Sequence, residues 1–426
     1  MPKDYQMQIL TPELLNDIRS RFARIDTCPS QGPRIFFENA GGALTLNSVI
    51  GTSAQFAAIP DNQGRDNPGS KAGGETISHA KSDILRFLNA RHGQVFMGES
   101  GTELLFRLIR TACIGVKKSG VVLGSSIEHP ASRSAAIRWA EIAGLEYISV
   151  PHDDATGLVS AEAYRAHIRP DTRVATILQA SPVTGMAMDV AAIAASIREI
   201  SPDCLVIVDG IQYAAHGGVD IDSYGIDGYV ISPYKVFSRH GYGLAWISDR
   251  FAILPHDSLI GAPDAPWEMG TRDAGAYAAF SDVVRYFEWL GGRVSNAASK
   301  RGKIEAAGKA MAAQEWALTE LLIKGDANHR GLAGITGVQI IGGTDNPARR
   351  GLVSAALAGV ESGKVVSALN ERGIRTHIRK ADHYSGNVLV PLGLESCIRI
   401  SLCHYNTAKE VLALLSALDD ILQDRS

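Results

Sequence analysis

Between residues 120 and 248, short apolar runs alternate with amphipathic segments, and this rhythm predicts alternating strands and helices. Strands are expected at 120–124, 147–150, 174–178, 205–208, 229–231 and 244–247, where each run is too short for a helix. Because these runs are apolar on both faces, they fit a sheet covered on both sides. Between them, 131–143 and 190–200 carry apolar residues at helical spacing. Upstream, 77–89 reads as a helix, and 95–96 leads into GESGTELLFRLIR, a glycine turn opening a helix. The polar, glycine-rich stretch 59–74 (IPDNQGRDNPGSKAGG) reads as a loop. After residue 274 the texture changes, with long helices expected at 274–290 and 300–323. A smaller α+β portion then runs from 338 and ends in a strand at 397–402 and a helix at 407–422. The expected architecture is a large α/β domain at 45–285 with a mostly parallel sheet. A smaller α+β domain would be formed by both chain ends, 1–44 and 286–426.

Composition changes this picture little. The 426 residues are 45% hydrophobic and 20% charged, as in an ordinary globular protein, and the chain is long enough to bury a core without staples. A net charge of −3 gives no basic surface for nucleic acid or an acidic membrane, so neither is expected as a partner. No apolar run reaches the roughly 18 residues of a spanning helix. The start, MPKDYQMQILTPELL, lacks the basic and apolar regions of a signal peptide. Five scattered cysteines (Cys28, Cys113, Cys204, Cys397, Cys403) form no metal-ligand spacing and read as reduced thiols. The expected location is the cytoplasm.

The chemistry concentrates at strand ends. In VIVDGIQYAAH an apolar strand delivers Asp209 at its carboxyl end, where open α/β sheets bind ligands. The following strand leads into SPYKVFSRHGYG and places Lys235 in a turn. Singly, each is an ordinary cap or surface charge. Together they are what a pyridoxal-phosphate (PLP) enzyme needs: a lysine for the Schiff base and a carboxylate to keep the pyridine nitrogen protonated.

Eight blocks carry a wider resemblance: FFENAGG, GESGTE, SSIEHPASR, SPVTG, VDGIQ, SPYKVF, EMGTRDAGA and IRISLCHYNT. In this order, from about residue 36 to 422, the chain resembles the class V aminotransferases, which include cysteine desulfurases and selenocysteine lyases. SPYKVF and HYNT resemble a desulfurase-like subgroup. The resemblance implies the aspartate-aminotransferase-like fold (fold type I) and a homodimer with shared active sites. It implies that Lys235 anchors PLP, that His129 stacks on the pyridine ring, and that Asp209 and Gln212 bond its nitrogen and phenolic oxygen. Gly101, Thr102, Ser232 and Tyr234 would bind the phosphate at a helix N-terminus, with Tyr234 where the family commonly has histidine. Thr271 would reach the neighbouring subunit's phosphate, and Arg399 would clamp the α-carboxylate of an amino-acid substrate through its planar fork. Lys235 or His129 would move the Cα proton.

Two positions depart from the family pattern. Pro182 stands where an asparagine is usual before V-x-G, and its nitrogen can donate nothing. The region 373–393, which in desulfurases carries the nucleophilic cysteine, contains none. It offers instead His377, Arg379, Lys380, Asp382, His383 and Tyr384, either a solvated loop or a set that selects a polar or acidic substrate or supplies an acid or base. The expected activity is a desulfurase-like lyase acting by β-elimination without a loop persulfide. The alternatives are an aminotransferase or amino-acid epimerase, or a scaffold that has lost its chemistry.

Overall fold

The computed structural model describes residues 10–117, 119–261 and 266–423. The first nine residues, part of the chain start read above, lie outside this range. The central sheet has seven strands: β1 (Gln94–Gly98), β2 (Val121–Ser125), β3 (Glu146–Val150), β4 (Thr172–Leu178), β5 (Leu205–Asp209), β6 (Gly228–Ile231) and β7 (Gly243–Ile247). Their order is β1-β7-β6-β5-β4-β2-β3. Only β7 runs against its neighbours, so the sheet is mixed but mainly parallel. Every residue of β2, β5, β6 and β7 is buried, which is why those runs are apolar without alternation.

Helices α1 (Pro68–Leu88), α2 (Gly101–Gly115), α3 (Pro130–Ala143), α4 (Val190–Ile200) and α5 (Ala274–Val294) pack around this sheet, and α6 (Lys300–Lys324) lies on α5 and carries Leu318, Leu322 and Ile323 into a second core. The expected loop at 59–74 is corrected in its second half, where α1 begins at Pro68. Asn67 caps it by accepting from the Ser70 amide at 2.8 Å. Proline at the first helical position and an asparagine cap outweigh the glycines that follow, since tertiary packing of the helix overrides weak propensity. Gly291 of α5 lies directly on the Lys303 backbone of α6, where a Cβ would collide with the carbonyl.

A second sheet comprises β8 (Val338–Ile340), β9 (Leu352–Leu357), β10 (His377–Lys380) and β11 (Ser396–Ser401), antiparallel in the order β8-β9-β11-β10. Helices α7 (Ser362–Glu371) and α8 (Ala408–Gln423) cover it. A core of Val353, Ile398, Ile400, Val365, Leu414 and Leu418 forms between them. The segment after Ile35 is laid along this sheet. Ile35 and Phe36 pair with Ile374 and Arg375, and the Ser401 amide donates to Phe37 at 2.8 Å.

Candidate active site

Strands β1 to β6 of the central sheet all end on one edge, and the turns after β1, β2, β5 and β6 gather there. The turn after β1 opens α2 at Gly101, with Ser100 as its cap, accepting from the Glu103 amide at 3.1 Å. Ser232, just after β6, closes on this helix start: a side chain on Gly101 would collide with the Ser232 hydroxyl. Gly101 and Thr102 thus present a helix N-terminus, with its unpaired N–H groups, beside a buried serine.

Asp209 is the last residue of β5 and is buried. Its Oδ1 accepts from the Ile211 amide at 3.0 Å, and Oδ2 has only the Ser132 hydroxyl, at 3.4 Å. Burial raises its pKa to about 6, opposed by that amide and by the Lys235 charge. Lys235 lies in a single 3-10 turn, Pro233–Lys235, and its Nζ donates to Gln212 Oε1 at 3.1 Å. Burial lowers the lysine pKa to about 7, helped by the charges of Arg399 and Arg379 and resisted by Asp209. An amine poised near neutrality is a usable nucleophile or base.

His129 caps α3, accepting from the Ala131 amide at Nδ1, 3.1 Å away. Burial and the Lys235 charge push its pKa down to about 4, so the ring is neutral. It therefore fills both the capping role and a place beside Lys235. Tyr234 is half-buried and stacks on His240 with ring centroids 4.3 Å apart.

Arg399 arrives from the second sheet, on β11, between Ser354 and His377 in register. It is 1% exposed, and among the described residues no carboxylate pairs with it. Among the described residues its side chain makes one hydrogen bond, to the carbonyl of Pro182 at 3.1 Å. Pro182 therefore serves as an acceptor that orients the arginine. The side chain of Arg379, on β10, makes no hydrogen bond or ion pair among the described residues and its buried Nε is unpaired, while the Asp382 and Glu38 carboxylates bear on its charge. Its charge bears on Lys235, His129 and Arg399 alike. Glu38, from the FFENAGG segment, bonds His377 at 3.0 Å and faces Arg399 electrostatically. The loop after β10 is docked on α3: Arg133 donates to the His383 carbonyl at 3.0 Å, and the Tyr384 ring lies 5.9 Å from His129.

The structure thus gathers Gly101, Ser232, Asp209, Gln212, Lys235, His129 and Arg399, with Thr102 beside Gly101. Thr271 stands apart, in a cleft of about 400 Å³ lined by Phe56, Asp61, Thr76 and Arg272. Glu38, Glu128 and Ser132 were not singled out from the sequence. The only signal was an acidic residue placed directly before His129 in SSIEHP and one before the glycines in FFENAGG.

Comparison with known proteins gives the frame. The model of the family "Aminotransferase class-V" matches residues 35–414. The chain belongs to that family. This class V aminotransferase is 29% identical over 358 residues to a probable cysteine desulfurase of Pseudomonas putida, covering 82% of this chain and 83% of that one. It is 24% identical to the cysteine desulfurase-like protein ustD of Aspergillus flavus, covering 92% and 88%. It is also 25% identical over 406 residues to the nonribosomal peptide synthetase-like enzyme fsqF of Aspergillus fumigatus, a match of 91% of this chain that spans 26% of that protein's length. By structure it resembles the cysteine desulfurase of Thermococcus onnurineus NA1, with a TM-score of 0.78 at 18% identity over 92% of this chain and 95% of that one. Escherichia coli CsdA gives 0.75 at 21% over 96% and 98%. The fold is that of PLP enzymes of type I.

As a class V aminotransferase the chain is a PLP-dependent enzyme. Its own residues fit the cofactor. A neutralisable amine, a buried carboxylate with a nearly free oxygen, and a helix N-terminus beside a serine match the aldehyde, ring nitrogen and phosphate. No helix among the described residues is long and apolar enough to cross a membrane.

Proposed function

We propose that the enzyme is a desulfurase-like lyase that eliminates the β-substituent of an amino acid carrying an acidic side chain, without a loop persulfide. The observation that carries this is the pair Arg399 and Arg379, two guanidinium groups bearing on Lys235, neither in a direct ion pair among the described residues and both facing the one Glu38 carboxylate. A guanidinium drawn out of water without a direct ion pair is costly, and an α-carboxylate pairs with only one of the two. The second calls for another anion on the substrate, such as a sulfinate or carboxylate. The cysteines nearest this sheet are poor sulfur carriers. Burial raises Cys397 to about 11 and Cys403 well above its usual value, so both stay protonated.

In this reading PLP supplies, when bound, the electron sink for the pair left at Cα. Lys235 is its anchor and then the base that takes the Cα proton. Its lowered pKa leaves a large share of it uncharged at neutral pH. Asp209 faces the ring nitrogen, and Gln212 offers its amide to the phenolic oxygen. Gly101, Thr102, Ser232 and Tyr234 receive the phosphate, and neutral His129 covers the ring. Arg399 fixes the α-carboxylate, and Arg379 the side-chain anion. We further place the enzyme in the cytoplasm as a homodimer, with Thr271 turned to the partner's phosphate. Thr271 sits outside its own chain's cluster, and Leu259 and Ile260 nearby in sequence are exposed.

Incubation with cysteine, cysteine sulfinate and selenocysteine tests the activity; absence of alanine and pyruvate from all three would refute it. Arg379→Met should raise KM for cysteine sulfinate far more than for cysteine. An aminotransferase or epimerase is the second reading, favoured by two proton carriers, Lys235 and His129, at one site. Conversion of the bound cofactor to its pyridoxamine form by an amino donor would select the first of these.

A further inference from the structure

Behind the Asp209 carboxylate lies a second one that the proposed chemistry does not use. Glu128 is the residue before His129, between β2 and α3, and is 1% exposed. Its Oε1 accepts from the Ser125 hydroxyl at 3.3 Å, and its buried Oε2 has no partner. No Lys, Arg or His pairs with it among the described residues. The Ser132 hydroxyl, one turn into α3, lies between the two carboxyls, bonding Asp209 Oδ2 at 3.4 Å and also serving Glu128. The other titratable groups around Glu128 are the buried Tyr164 and the partly buried Tyr147, both acids that add no positive charge. Two buried carboxyls sharing one hydroxyl, with a cation facing only Asp209, do not both ionise, because like charges in a dry site repel strongly.

We propose that Glu128 and Asp209 form an acid–carboxylate pair bridged by Ser132, in which Glu128 holds the proton so that Asp209 meets the cofactor's ring nitrogen as an anion. The asymmetry follows from their partners. Asp209 has a backbone amide and faces Lys235, and both favour its charge. Glu128 has no cation facing it, and burial together with the Asp209 charge raises it to about 8 against the bonds of Ser125, Ser132 and the Leu178 backbone. Glu128 is thus a positioning residue, which excludes a competing negative charge and fixes which carboxyl keeps its proton. The inference rests on the PLP reading only in naming what Asp209 faces.

Two measurements test it. Infrared spectra of the cofactor-free protein at neutral pH should contain the carbonyl stretch of a buried, protonated carboxylic acid, and Glu128→Gln should abolish it. Absence of that band from the wild type overturns the proposal, whatever the cofactor does. In the holoenzyme, the ¹⁵N shift of the cofactor's ring nitrogen should be unchanged in Glu128→Gln, whose amide mimics the neutral acid. Glu128→Leu should move that signal and weaken cofactor binding about tenfold, the effect of losing one buried polar contact. If Glu128→Gln disturbs the nitrogen as much as Glu128→Leu, Glu128 is ionised and the proposal fails. If neither variant disturbs it, Glu128 has no part in positioning Asp209, and the proposal fails equally. Should the PLP reading itself be wrong, the infrared band would remain while no ring-nitrogen signal is found.

Discussion

Replacing Lys235 with methionine in the cofactor-free protein gives a test that reads the site's electrostatics directly. Burial and two arginines lower the lysine from 10.5 to about 7 in the folded chain. One pKa unit corresponds to about 1.4 kcal/mol, so forcing the amine to give up its proton costs roughly 4 kcal/mol at neutral pH. Lys235 is only half-buried, and water relaxing around it reduces this to about 2 kcal/mol. The sign is fixed by linkage. A depressed folded pKa contributes stability that is fully present above the unfolded value and is lost as pH falls towards the folded one. Methionine removes this dependence while keeping a side chain of similar length. Urea unfolding at pH 7, 8, 9 and 10 should therefore find Lys235→Met more stable than wild type at pH 7. The difference should shrink as pH rises towards about 10.5. The variant should also lose the visible absorption of the bound cofactor. A difference that stays flat with pH, or grows with it, would refute the argument.

Other outcomes follow from the same geometry. Arg399→Lys should raise KM for amino acids about 10- to 100-fold with unchanged cofactor absorption, because an ammonium cannot reproduce the bidentate grip; steady-state kinetics checks it. Glu128 has a raised folded pKa, so its contribution to stability is complete below about 4.5 and is lost as pH rises through about 8. Cofactor-free Glu128→Gln should thus gain on wild type across that window in thermal melts. Asp227 is buried, accepts from the Val206 amide at 2.9 Å and pairs with Arg198 at 2.6 Å and with Arg250. Asp227→Asn should cost about 3 kcal/mol or more by urea titration, since two guanidinium groups lose their counter-ion.

Much of the fold was legible because the central strands are buried on both faces. Uniform apolar runs such as 205–208 then mark strands without ambiguity, and β5 differs from that expectation only by including Asp209. The start of α1 was not legible, since Gly69, Gly73 and Gly74 outweigh Pro68 in any local reading, and the helix is held by packing and by its Asn67 cap. Lys235 and Asp209 could be found because each follows a recognisable strand. Glu128 could not, since a glutamate before a helix reads as a surface residue. Only the fold buries it beneath Ser132 and Asp209. Arg379 stood out no more than its charged neighbours in the loop. What distinguishes it is a side chain with no hydrogen bond or ion pair among the described residues, which only a three-dimensional arrangement reveals.

The residues around Lys235 come from turns on one edge of the central sheet, whereas Arg399 and Arg379 ride on adjacent strands of the other sheet. Capture of the coenzyme and choice of substrate are therefore written on separate pieces of scaffold. Drift in β10 and β11 can retune which amino acid is accepted while the anchoring lysine and its carboxylate stay as they are. One ancestral catalytic engine could in this way be refitted to new metabolites by altering a few side chains on a single four-stranded face.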